Sequence, residues 1–358
     1  LESKTFERDV SIGSVALDCG VTLEDVVQRV TCYGEPRADF ANVVLVNHAL
    51  TGSSHVADWW RGIIGPGKLL DTDRLAVIGI NNLGSCYGST GPSSLGPSGR
   101  PYGAAFPVVS VADIVRAQSL ALRGLGITHL AAVAGGSLGG MQALQWALEP
   151  SRCVDHAIVI GAYDYLAPMA IALNYVARQA IRTSKTPEDG IALARKIAML
   201  TYKSDALFAA RFGRKADRAG GDPKRSLDDR FDVEGYLDYQ GRIFAARMDT
   251  DAYVRQTRAM DLFDVREVPL PAIPPRFTFV GISSDWLFLP QYIREAAQRY
   301  AREGADSVYL EMHSNHGHDA FLAEPESLSA ILAPRLAPLY DALRSASPPW
   351  TGAARLAP

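Results

Sequence analysis

Three observations predict an α/β protein built on a mostly parallel sheet with helices on both faces and an inserted all-α lid. Short apolar runs alternate with helical patterns through the first half of the chain and again near its end. One serine, Ser137, stands at a glycine-rich turn between an apolar run and a helix. Between residues 165 and 264 the alternation stops, and almost only helical spacing is found.

The elements follow in order. Up to about residue 34, apolar and polar residues alternate, as in Val10-Ser11-Ile12-Gly13-Ser14-Val15 and Val26-Val27-Gln28-Arg29-Val30-Thr31, which predicts a β-hairpin or antiparallel edge. Val43-Val44-Leu45-Val46 and Leu75-Ala76-Val77-Ile78-Gly79-Ile80 read as buried strands. Residues 111–125 carry helical spacing and stop at Gly126. His129-Leu130-Ala131-Ala132-Val133-Ala134 predicts one buried strand, residues 141–148 a helix, and His156-Ala157-Ile158-Val159-Ile160 another strand. Helices are expected over 168–182, 190–202, 204–212, 233–247 and 250–263, with a polar loop over 213–230. Strand signals return at Phe277-Thr278-Phe279-Val280 and Ser307-Val308-Tyr309-Leu310-Glu311, separated by a helix over 291–303 and followed by one from 326 to about 345. The expected organisation is a core of residues 1–164 and 265–346, a helical lid over 165–264, and a loose tail over 347–358.

Composition bounds the function. The 358 residues are 47% hydrophobic, ample for a large core, and the net charge of −3 gives no electrostatic footprint for nucleic acid. No apolar run approaches membrane-spanning length, and Leu1-Glu2-Ser3-Lys4-Thr5 does not resemble a leader. Four scattered cysteines (Cys19, Cys32, Cys86, Cys153) without a C-x-x-C pair read as reduced thiols, so a cytoplasmic protein is expected.

Gly135-Gly136-Ser137-Leu138-Gly139 fits the G-x-S-x-G nucleophile elbow, in which a tight turn pushes the serine above the strand ends. The alternative is an ordinary glycine turn, and the strand before and helix after favour the elbow. A helix N-terminus and the Leu138 backbone N–H favour negative charge developing beside Ser137 Oγ. A serine nucleophile needs a base and an acid that orients the base, in the chain order Ser, Asp/Glu, His. Asp285 stands just after the strand ending near Gly281, where sites in open parallel sheets gather. After the next strand come His313, His316 and His318. Three histidines so close invite a metal reading, but no carboxylate or cysteine pair completes a zinc set, and one of them as general base fits better. Position alone does not select among the three. His129 and His156 read as structural, and His48 as structural or site-lining. A second oxyanion donor is expected from the loop Asn47-His48-Ala49-Leu50-Thr51-Gly52, with the Leu50 N–H as the candidate. The glycine-rich stretches 84–91 and 96–103 fit neither a P-loop nor a dinucleotide fingerprint and read as structural loops near the site.

Several longer motifs are informative together: residues 47–52, Trp59-Trp60-x-Gly62, Gly65-Pro66-Gly67-Lys68, Leu70-Asp71-Thr72-Asp73-Arg74, residues 82–92, residues 135–142, and His316-Gly317-His318-Asp319-Ala320-Phe321-Leu322. From about residue 8 to 345 the chain resembles the homoserine O-acetyltransferases of methionine biosynthesis, which have the α/β-hydrolase fold. The resemblance implies His318 as the base, the histidine directly before Asp-Ala-Phe, and hence a triad of Ser137, Asp285 and His318. It implies a ping-pong transfer of acetyl from acetyl-CoA, through Ser137, to the hydroxyl of L-homoserine. No bound cofactor or metal is implied, and acetyl-CoA is a substrate. It implies Arg195, Tyr202 and Asp319 as acceptor-binding residues, and a homodimer through the lid helices. Arg195 and Tyr202 are seven apart on one predicted helix, so one face presents both. A guanidinium can grip the amino acid's carboxylate and Asp319 its ammonium. Relatives that use succinyl-CoA, or serine as acceptor, and a hydrolase with the same triad are the alternatives. The lid is shorter after Arg178-Gln179-Ala180-Ile181 than is usual in the family, and Leu138 stands where many members have Met.

Overall fold

A computed structural model describes residues 5–149, 153–219 and 221–344. The expected tail over 347–358 lies outside the described residues. The hairpin β1 (Thr5–Ala16) and β2 (Thr22–Tyr33) is antiparallel and joins β4 (Ala76–Ile80) antiparallel. From there β3 (Val43–Asn47), β6 (Ala132–Gly136), β8 (His156–Ile160), β9 (Arg276–Ile282) and β10 (Ser307–Met312) pair in parallel. The order across the sheet is β1-β2-β4-β3-β6-β8-β9-β10. The chain runs from β3 outward to β4 and then returns to place β6 on the other side of β3. The loops after β3 and β6 therefore leave in opposite directions and open a crevice at the strands' carboxyl ends.

The central strands are buried on both faces, which is why they read as continuous apolar runs. Val43 and Leu45 enter the core on one face and Val44 and Val46 the core on the other. Helices α2 (Val111–Gly124) and α3 (Leu138–Leu148) pack against each other on the first face, with α9 (Pro290–Arg302) against β9 and β10. Ser110 and Asp113 form a capping box that starts α2. The other face is closed by α1 (Val56–Trp59), α10 (Ala320–Ala323) and α11 (Pro325–Ala342). Phe321 is 2% exposed there, its carbonyl accepts from Trp60 Nε1 at 2.8 Å, and its burial is worth about 2–3 kcal/mol.

The run from His129 does not form one strand. Ala131 N–H donates to Val43 O at the start of the sheet, and β5 (His129–Leu130) turns away to pair with β7 (Cys153–Val154) in a separate two-stranded ribbon. His129 there lies 3.0 Å from Asp155, an anchor that a hydropathy pattern does not carry.

Between β8 and β9 lies the helical block: α4 (Pro168–Thr183), α5 (Pro187–Tyr202), α6 (Asp205–Phe212), α7 (Asp232–Ala245) and α8 (Thr250–Asp261). Its two ends are stitched together. Leu166 N–H donates to Phe263 O at 3.0 Å and Val265 N–H to Asp164 O at 2.8 Å, around a Tyr165–Asp264 bridge. Inside the block, Asp261 takes Asn174 Nδ2 at 2.9 Å and Arg178 at 2.5 Å, a buried pair that ties α8 to α4. The connection after Ile181 is short, and α4 and α5 cross closely: a Cβ on Gly190 would stand 2.7 Å from Ile181 Cα. Thr186 then caps α5, accepting from the Asp189 N–H.

Candidate active site

Ser137 stands at the end of β6 with φ 58° and ψ −124°, a conformation that a side chain rarely adopts and that costs about 1–3 kcal/mol. The neighbouring glycines make it possible. A Cβ on Gly135 would lie 2.3 Å from Gly139 O, and one on Gly139 would lie 2.2 Å from Asn47 O. The sharp turn drives the start of α3 against the end of β3. Ser137 N–H donates to Ile160 O at 2.9 Å, which leaves the side chain facing the crevice, 7% exposed.

The loops after β9 and β10 are tied to each other. Ser314 N–H donates to Ser283 Oγ at 3.1 Å and Gly317 N–H to Ser284 Oγ at 3.0 Å. They bring Asp285 and His318 together, His318 Nδ1 lying 2.6 Å from Asp285 Oδ2. The other carboxylate oxygen accepts from the N–H groups of Leu287 and Phe288, both at 2.9 Å. The carboxylate accepts from Nδ1–H, so the Nε2 lone pair is free, and Nε2 is buried without a hydrogen-bond partner among the described residues. Phe288 stacks on the imidazole at 4.9 Å and Phe321 meets it edge-on at 5.9 Å. Burial opposes a charge on His318, but the Asp285 carboxylate, by charge and hydrogen bond, and Asp319 beyond it raise its pKa above the ordinary 6.5. Gly161, at φ 53°, leaves room for this ring: a Cβ there would stand 3.2 Å from His318 Cε1. His313 is exposed and His316 faces Glu324 at 3.7 Å, so the three nearby histidines do not converge. Among the described residues no group of three His, Cys, Asp or Glu side chains could hold a metal ion.

Across the crevice, the loop after β3 is fixed by His48. The Asn82 N–H donates to His48 Nε2 at 3.0 Å, so the ring's own proton sits on Nδ1, which lies 2.8 Å from Ala49 O. The peptide is planar and trans, so fixing Ala49 O also fixes the direction of the Leu50 N–H across the same bond. Burial pushes the His48 pKa down to about 4, against the pull of that carbonyl, and the ring stays neutral at physiological pH. Leu50 and Ser137 line one cavity of about 30 Å³, together with Ala170, Ala177, Ile197 and Tyr202, and none of its lining residues is charged.

Arg195 and Tyr202 share one face of α5, the guanidinium carbon 5.4 Å from the Tyr202 ring centre and 5.0 Å from that of Phe244. Among the described residues no carboxylate pairs with Arg195, and its Nε is buried without a partner. Arg195 lines an open cleft of about 460 Å³ that also takes in Thr51, Trp59, Tyr87 and Arg247. Tyr202 lies 5.9 Å from the His318 ring, and burial raises its pKa, partly offset by Arg195. Asp319 is not a free counter-charge: Lys203 Nζ lies 2.8 Å away. The sequence reading missed Lys203 and left His48 undecided. The adjacency of Lys203 to Tyr202 was available as a signal. The His48–Asn82 bond spans 34 residues and had none.

The chain matches the alpha/beta hydrolase fold family over residues 42–325. It is similar to a homoserine O-acetyltransferase of Methanocorpusculum labreanum, 41% identical with 94% of this chain and 74% of that protein covered. It is similar to a homoserine O-succinyltransferase of Halothiobacillus neapolitanus, 42% identical with 89% and 86% covered. Among solved structures, esterase E22 superposes with a TM-score of 0.85 at 25% identity, covering 93% of this chain and 100% of that one. The homoserine O-acetyltransferase of Bacillus anthracis superposes at 0.83 and 22% identity over 96% and 99%, a likeness of fold. On this identity and coverage, the chain belongs to the homoserine O-acetyltransferase and O-succinyltransferase family of α/β-hydrolase-fold proteins.

Proposed function

We propose that the protein moves acetyl from acetyl-CoA to the hydroxyl of L-homoserine through an acyl-serine, with Ser137, His318 and Asp285 as the catalytic residues. The observation that carries this reading is the strained Ser137 apex in one crevice with a buried imidazole, held by a carboxylate at 2.6 Å and free at Nε2. Ser137 Oγ attacks the thioester carbonyl while His318 Nε2 takes its proton. Asp285 stabilises the imidazolium, and the Leu50 and Leu138 N–H groups hold the oxyanion. The C–S bond breaks, and His318 returns the proton to the departing CoA sulfur. The homoserine hydroxyl then gives its proton to His318 and attacks the acyl-serine, and the proton passes back to Ser137 as it leaves. No step needs a metal.

Residues 165–264 act as a lid that selects the acceptor. Arg195 binds the acceptor's carboxylate with Tyr202 beside it, and Asp319, shared with Lys203, takes the ammonium. A simple esterase has no need of this charged set. The uncharged lining of the cavity beside Ser137 favours acetyl over succinyl, whose carboxylate would be buried there without a cation. Exposed Met169, Tyr175, Val176, Leu193, Leu200 and Ile243 on α4, α5 and α7 support a homodimer formed through these helices, which sedimentation of the full chain tests. No described helix is long and apolar enough to cross a membrane.

The test is CoA release from acetyl-CoA and succinyl-CoA, each with L-homoserine, L-serine or no acceptor. Turnover with acetyl-CoA and L-homoserine alone is expected. Turnover with succinyl-CoA or serine keeps the mechanism and moves the specificity. Steady release without acceptor makes the protein a hydrolase, the class to which the structurally similar esterase E22 belongs by name.

A further inference from the structure

Gln142 lies on α3 five residues after Ser137 and is fully buried. Its Nε2 donates to two carbonyls, Leu138 O on its own helix and His48 O on the loop after β3, each at 3.3 Å. Its Oε1 accepts from Gln118 Nε2 of α2 at 2.8 Å, and Gln118 Oε1 accepts from Trp146 Nε1 at 2.8 Å. The two ends of an amide are alike in shape, but an indole N–H can only donate. Trp146 therefore turns the carbonyl of Gln118 towards itself and its amino group towards Gln142. Gln142 must answer with its carbonyl, and its own amino group is left facing the two backbone carbonyls. One indole sets the polarity of the whole chain of bonds.

The two carbonyls sit on either side of the crevice. Leu138 O belongs to the peptide that follows the Leu138 N–H, and His48 O to the peptide that precedes the Ala49–Leu50 bond. We infer that Gln142 is a positioning residue that clamps the β3 loop to the nucleophile helix, holding the Leu50 and Leu138 N–H groups at one separation, with its direction imposed by Trp146 through Gln118. This rests on the reading of those two amides as the oxyanion donors. Gln142 and Gln118 carry no charge and are fully buried, so both act only through the groups they hold.

The test uses the full chain with Gln142→Met, Gln142→Glu and Trp146→Phe. Three readouts are taken: the burst rate of CoA release from acetyl-CoA, the donor KM, and inhibition by ethylboronic acid, which forms a tetrahedral adduct on Ser137 Oγ. Gln142→Met is expected to slow acylation about 10- to 100-fold and to weaken ethylboronic acid by a similar factor. The donor KM stays within about twofold, as for an interaction made only in the transition state. Gln142→Glu turns a carboxylate onto the two carbonyls and loses at least as much. Trp146→Phe gives a smaller loss in the same two readouts and adds nothing on top of Gln142→Met, because both act through one chain of bonds. Wild-type acylation and boronate affinity in Gln142→Met would overturn the inference. So would a loss spread equally over the burst rate and the donor KM with a matching fall in Tm. If Gln142→Met does not fold, Trp146→Phe carries the test by the same criteria. p-Nitrophenyl acetate, which needs the oxyanion donors but no CoA, is run alongside. A wild-type protein acylated by this ester and by no acyl-CoA overturns the proposed donor, while the Gln142 comparison still decides the clamp.

Discussion

The sheet side of the crevice and the helical side hold their polar groups in opposite ways. On the sheet side, Asp285, His318 and His48 are each 2% exposed or less and fixed by short bonds to backbone or to one another. On the helical side, Arg195 has aromatic faces beside it and no described carboxylate partner. The difference separates two tasks. On the proposed mechanism, His318, which would move the proton, Asp285, which holds it, and His48, which fixes the β3 loop, are oriented before any ligand arrives, and this lowers the reorganisation needed during reaction. On the same proposal, Arg195 is left incomplete so that the charge of the acceptor's carboxylate completes it.

Four experiments break or sharpen this division. The largest effect is expected on the sheet side, where Ser137→Ala lowers transfer about 10⁴- to 10⁶-fold and abolishes the acyl-enzyme in mass spectra. Near wild-type transfer in that variant would end the covalent route. Next comes Arg195→Leu, which is expected to cut kcat/KM for L-homoserine about 10²-fold while the first burst of CoA stays intact. Loss of the burst instead would place the arginine's role on the donor. Gly190→Ala presses a methyl onto Ile181 and is expected to cost about 1–3 kcal/mol, read as a lower Tm, with acceptor use impaired before acylation. Acylation failing first would mean that the two sides are not separable.

The smallest effect is a shift in a pH profile. The proposed mechanism needs neutral His318, whose pKa is raised, so acylation is expected to rise with pH through a midpoint above 6.5. For stability the sign is reversed: the favourable Asp285 contact with the imidazolium is fully present below 6.5 and is lost as pH climbs through the raised value. Asp285→Asn removes the carboxylate's charge and is expected to move the acylation midpoint downward, alongside a large loss of rate. An unchanged midpoint would assign the limb to another group.

Much of the sheet side was legible in the sequence because its signals are local. The elbow announces itself in five residues, since both Gly135 and Gly139 are required by contacts within the turn and at the neighbouring strand end. Asp285 could be found because chain order and strand ends constrain it. His318 could not be chosen over His313 and His316 by position. What distinguishes it in space is burial between Phe288 and Phe321, of which only Phe321 belongs to a nearby motif. The strand expected from His129 to Ala134 divided because its first two residues pair with a partner that hydropathy does not name. The His48–Asn82 and Gln118–Gln142 bonds stayed hidden for a common reason. Each joins residues more than twenty apart, and neutral amides and backbone N–H groups leave no charge pattern to read.

The stitched base of the helical block, where Leu166 meets Phe263 and Val265 meets Asp164, has a consequence for how such a chain can change. The core's path exits and re-enters at adjoining points, so the sheet registers the intervening hundred-odd residues as little more than one bridge between β8 and β9. Lengthening or trimming the excursion alters its closure entropy only logarithmically. Helices can be added, lost or exchanged there without shifting a single strand. A lineage can therefore revise what it accepts while inheriting its reactive machinery intact, as a tool keeps its handle when the head is swapped.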